Sequence, residues 1–144
     1  MYTKEQVAKT IDHAVLKPEQ TLAELKANAE MCIKNKVFSM CVKPCDIKAA
    51  KELLKDSGVK VSCVLSFPHG ADATPVKAFQ AKQAIEDGTD EIDMVMNIGR
   101  FLSGEFDYVR DDIKAVVEVA HQHNVLVKVI QESGYLTPVS YTHL

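Results

Sequence analysis

The sequence predicts an α/β protein, a TIM-type (β/α) barrel that is incomplete, with about five of eight βα units. Three observations carry this. Short apolar runs alternate with amphipathic segments along the chain; a parallel strand covered on both faces reads as the former, and the helix crossing back over it as the latter. No glycine-rich phosphate turn follows the first strand at Leu16, which argues against a doubly wound sheet. Polar residues gather inside or at the ends of strands, at Asp12, Lys43, Asp93, Asn97, Lys128 and Glu132, and barrels draw their sites from the carboxyl ends of several strands.

Residues 3 to 9 read as a short helix with Thr3 and Gln6 in capping-box positions, followed by a brief strand from Ile11 that Pro18 ends. Thr21 and Glu24 make a second capping box, opening a helix whose apolar face is Leu22, Leu25, Ala29 and Cys32. The second strand spans Phe38 to Lys43, after which Asp46 is expected to cap a helix burying Ile47, Ala50 and Leu54. Val59 to Phe67 forms the third strand, and Thr74 and Pro75 give the next helix its cap and first-turn proline, with Ala78, Ala81 and Ile85 inward. The fourth strand, Asp90 to Gly99, sets carboxylates among apolar residues. A helix burying Val109, Ile113, Val116, Val117 and Ala120 then leads to the fifth strand, Val125 to Ile130.

The totals are those of one ordinary domain. The 144 residues are 47% hydrophobic and 26% charged, with a formal net charge of -3. This balance does not suggest nucleic acid, and no apolar run approaches the roughly eighteen residues of a spanning helix. The polar amino terminus lacks a signal peptide's apolar segment, so a cytoplasmic location is expected. Cys32, Cys41, Cys45 and Cys63 have no paired zinc-ligand spacing and are read as buried, reduced thiols. Neither a metal nor a cofactor is expected.

Burying an unpaired carboxylate costs several kcal/mol, so Asp93 has either a structural partner or a chemical task. Alternation places Asp93, Val95 and Asn97 on one face of their strand, and Lys128, Ile130 and Glu132 on one face of theirs. If both faces meet in a lumen, acid and amine tune each other as acid-base chemistry requires; a structural Asp-Lys pair produces the same spacing. Asp12 is a further lumen candidate. His13 falls on the opposite face of its strand and reads as packed against a helix, His69 as a surface turn residue, and His121 and His123 as solvated.

Several motifs are specific enough to carry a resemblance: Ile11-Asp12-His13, Leu16-Lys17-Pro18, Cys41-Val42-Lys43-Pro44, Phe67-Pro68-His69-Gly70, Lys77-Ala78-Phe79, and above all Gly88 to Gly99. With Val127-Lys128-Val129-Ile130, Glu132 and Leu136-Thr137, the chain over about residues 5 to 137 resembles the deoxyribose-phosphate aldolase family. It departs at Ala14, Ser66 and Gln131, where that family usually has Thr, Gly and an aliphatic residue.

The resemblance implies a class I, Schiff-base aldolase that reversibly splits 2-deoxy-D-ribose 5-phosphate into acetaldehyde and D-glyceraldehyde 3-phosphate in deoxyribonucleotide catabolism. Asp93 matches the family's proton donor and acceptor, while Asp12, Cys41 and Lys128 match lumen positions lining the substrate pocket. The family's Schiff-base lysine lies on a sixth strand in a Lys-Thr-Ser-Thr-Gly type segment, and no such segment occurs in these residues. The expectation is therefore a chain inactive alone, with residues 1 to 137 as partial barrel and 138 to 144 as a tail of foreign origin. A homo-oligomer formed through exposed barrel edges is also expected. Two readings compete with it: an enzyme completed by a second protomer with Lys128 as a substitute amine, and a non-catalytic sugar-phosphate binding or scaffold half-barrel.

Overall fold

The computed structural model describes residues 1 to 137 together with 139 and 140. Five strands, β1 (Asp12–Val15), β2 (Ser39–Val42), β3 (Lys60–Leu65), β4 (Glu91–Val95) and β5 (Leu126–Ile130), form one sheet in the order β1-β2-β3-β4-β5. Every pairing is parallel. The helix α1 (Lys4–Ala8) precedes β1, and those between the strands are α2 (Leu22–Asn35), α3 (Ile47–Leu53), α4 (Thr74–Glu86), α5 (Ile98–Leu102) and α6 (Phe106–His121). A sheet that grows one strand at a time in chain order, with a helical segment in each crossover, is an arc of a (β/α) barrel. Of the tail set apart in the sequence, Pro138 and residues 141 to 144 lie outside the described residues.

Alternation along the strands separates two environments. One face, with Val15, Met40, Val42, Val61, Cys63, Leu65, Ile92 and Met94, packs on Leu25, Ala29, Ile47, Ala50, Ala81, Ala84, Val116 and Ala120 of the helices to make the main core. The other carries Asp12, Ser39, Cys41, Ser62, Glu91, Asp93 and Lys128 and faces the arc's concave side.

Both capping boxes form as the sequence predicts: the Thr3 hydroxyl accepts from Gln6 N and the Thr21 hydroxyl from Glu24 N, with the Gln6 and Glu24 side chains reaching back. Other element ends differ. Asp46 makes no cap bond, because a 3₁₀ turn over Pro44–Asp46 puts its backbone in the αR region and its carboxylate 3.4 Å from Lys43 Nζ. Ala73, not Thr74, is the N-cap of α4. The fourth strand ends at Val95 rather than Gly99, since the Asn97 side chain accepts from Arg100 N and caps the short α5. Leu22 is exposed, and so is Cys45, unlike the other three thiols.

The inward face of α4 is shifted by one residue, to Lys77, Ala81 and Ala84. Lys77 is fully buried. Its ammonium donates to Asp112 Oδ2 at 2.5 Å and to the Val95 carbonyl at 3.1 Å, and Thr74 Oγ1 donates to Asp112 Oδ1 at 2.8 Å. This pair joins α4 and α6 to the carboxyl end of β4. Nearby, Gly70 (φ +66) lies so close to β4 that a Cβ would stand 1.9 Å from the Met96 carbonyl oxygen, so the loop after β3 requires glycine there.

Candidate functional site

The concave face gathers one ammonium and three carboxylates from strands far apart in sequence. Pairing puts Asp93 opposite Lys128, and the curvature of the sheet brings Asp12 to the same point from β1. Lys128 Nζ donates a hydrogen bond to Asp12 Oδ2 at 2.6 Å and stands 3.0 Å from Asp93 Oδ1 and 3.1 Å from Glu91 Oε2. Those two oxygens are buried and have no donor in line, so the ammonium reaches them chiefly as charge. Around this centre Ser39 Oγ donates to Asp12 Oδ1 at 2.6 Å and lies 3.3 Å from Ser62 Oγ, while Cys41 Sγ donates to Asp93 Oδ2 at 3.3 Å.

Burial opposes charge on both partners of the short hydrogen bond, and the pairing overcomes it. Asp12 is held below the usual aspartate range because the bonds from Lys128 and Ser39 outweigh its desolvation. Desolvation works against the Lys128 ammonium, yet Asp12, Asp93 and Glu91 hold it well above the ordinary lysine range. The Cys41 thiol is pushed up to about 12, mainly by burial, with a bond to Ser62 opposing and the Asp93 charge adding to the rise. Cys41 therefore stands beside Asp93 as a neutral donor rather than a thiolate.

All four residues singled out in the sequence, Asp12, Cys41, Asp93 and Lys128, meet here. Others do not. Glu132 lies past β5 in a left-handed conformation (φ 52) and, with His69 and Tyr135, lines a separate open cleft of about 660 Å³ beyond the carboxyl ends of the strands. Lys43 hydrogen-bonds the Lys17 and Gln20 carbonyls, tying down the loop after β1. His13, on the outer face, bonds Asn28 Oδ1 at 2.9 Å, which is the packed, helix-facing role expected of it. Sequence reasoning missed Glu91, Ser39 and Ser62, although period-two alternation places Glu91 beside Asp93 and Ser39 beside Cys41. Among the described residues no group of His, Cys, Asp and Glu side chains is arranged to hold a metal ion.

A parallel βα sheet presenting an acid-amine cluster on its concave face defines part of a TIM-type barrel with a polar lumen site. Comparison narrows the class. The family model for DeoC/LacD family aldolases matches residues 6–142, and the chain belongs to that family. It is 48% identical over 136 residues to deoxyribose-phosphate aldolase of Caldicellulosiruptor saccharolyticus, covering 94% of this chain and 62% of that protein. Among solved structures, an aldolase called QR15 superposes with a TM-score of 0.90 at 33% identity, over 95% of this chain and 60% of the other. The deoxyribose phosphate aldolase of Aeropyrum pernix, a tetramer, superposes with a TM-score of 0.86 at 25% identity, over 96% of this chain and 57% of the other. The chain thus spans about three fifths of the length of these relatives.

Proposed function

We propose that this chain supplies the proton-handling part of a Schiff-base aldolase site acting on 2-deoxy-D-ribose 5-phosphate, a small phosphorylated sugar. The observation that supports this most is the setting of Asp93: a buried carboxylate with one oxygen beside the Lys128 ammonium and the other accepting from the Cys41 thiol. A carboxylate so fixed can pass protons through water to and from carbinolamine, imine and enamine, while the iminium acts as electron sink for carbon-carbon cleavage. Asp12 and Cys41 stand on the same concave face and complete the substrate side of this reading. Lys128 is not the nucleophile of this reading, since an amine held as an ammonium among three carboxylates has no lone pair for a carbonyl.

The Schiff-base lysine is not among these residues in this reading, and the chain alone is inactive, in a cytoplasmic setting. Incubating it with 2-deoxy-D-ribose 5-phosphate and borohydride tests this; the expected result is no acetaldehyde release and no reduced adduct on any lysine. Mixing it with the carboxyl-terminal remainder of the Caldicellulosiruptor relative is expected to produce turnover. Asp93→Asn then lowers that turnover by about 10²–10⁴-fold, the usual worth of a positioned acid-base group. Turnover in the mixture that Asp93→Asn leaves untouched sinks the assignment of Asp93.

A further inference from the structure

The aldolase reading leaves Glu91 without a task, yet it is the most buried carboxylate of the concave face, 7% exposed. Its Oε2 has no hydrogen-bond donor in line, and a buried carboxylate oxygen without a donor is costly unless a neighbouring charge compensates it. The compensation available is Lys128 Nζ, 3.1 Å away. That ammonium faces Asp12 from β1 and both Glu91 and Asp93 from β4; on β2 the titratable group is Cys41, on the far side of Asp93, and β3 adds the Ser62 hydroxyl.

We propose that Glu91 is a positioning residue that completes a three-carboxylate cage around Lys128, fixing Nζ as an ammonium between Asp12 and Asp93. The inference deepens the aldolase reading and rests on it for its meaning: a caged lysine is a counter-ion and donor of the site, not its attacking amine. Glu91 acts through Lys128 and touches no substrate.

Pulsed acetylation of the 144-residue chain with acetic anhydride across pH 8–11, read lysine by lysine in the mass spectrometer, tests the cage directly. Exposed Lys82 and Lys114 serve as internal references. In the unaltered chain the labelling midpoint of Lys128 is expected above theirs, and its rate at pH 9 at least roughly tenfold lower, since each unit of pKa removes nine tenths of the free amine. Glu91→Gln, which keeps shape but removes the charge, is expected to raise the Lys128 rate by at least about fivefold with the references unchanged, and Glu91→Asp to restore slow labelling. A folded Glu91→Gln chain whose Lys128 labels as before overturns the proposal. So does a Lys128 midpoint at or below the references in the unaltered chain, a measurement that needs no variant. Aldolase turnover enters neither readout, so the cage and the aldolase reading fail separately.

Discussion

Asp12 and Lys128 bind each other at 2.6 Å and make opposite demands on pH. Asp12 titrates below its unfolded value, so its contribution to stability is present above about pH 4 and is lost as pH falls through the depressed folded value. Lys128 titrates above its unfolded value; its contribution is full below about pH 10.4 and is lost as pH rises through the elevated one. Thermal melting of Asp12→Asn is therefore expected to be less sensitive to acid below pH 4 than that of the parent chain. The thiols give a second test at this scale. Burial pushes Cys32 and Cys63 up to about 11 and Cys41 to about 12, whereas Cys45 is exposed. Iodoacetamide at neutral pH should modify Cys45 first and reach the other three only after denaturant is added.

Between elements, the fully buried Lys77–Asp112 pair ties α4 to α6. Lys77→Met leaves the Asp112 carboxylate buried beside an apolar side chain, and a loss of about 3–5 kcal/mol in urea unfolding is expected. Adding Asp112→Leu should return most of it, less about 1 kcal/mol for the Thr74 hydroxyl that loses its acceptor. The sequence did not announce this pair, because a lysine on a helix reads as solvated and its buried partner lies 35 residues away. Strands and their faces were legible, because the period of two repeats over each strand and agrees among Asp12, Cys41, Asp93 and Lys128. So were the capping boxes, whose two halves lie within four residues. Asp46 and Thr74 were misread because an oxygen-bearing side chain before a helix looks like a cap whether its backbone permits capping or not, and the end of β4 because Asn97, assigned to the strand, caps the next helix.

For the whole molecule, the sheet's outer strands matter most. Among the described residues β1 pairs only with β2 and β5 only with β4, and Leu126 is half exposed on β5. Unpaired parallel edges beside exposed apolar side chains favour association between chains. Sedimentation of the 144-residue polypeptide is expected to depend on concentration, and Leu126→Lys, a charge at the edge, to weaken that dependence. Among the described residues, no helix is long and apolar enough to cross a membrane.

The order of the strands also dictates a history. Each strand lies against the one made just before it, so β1 to β4 can pair in the order in which the chain supplies them. The Lys128–Asp12 hydrogen bond joins residues 116 apart, between the first strand and the fifth. Until β5 emerges, three carboxylates wait on the concave face without their cation. The site is thus completed only when β5 takes its place, and its closing contact spans the whole arc from the first strand to the fifth.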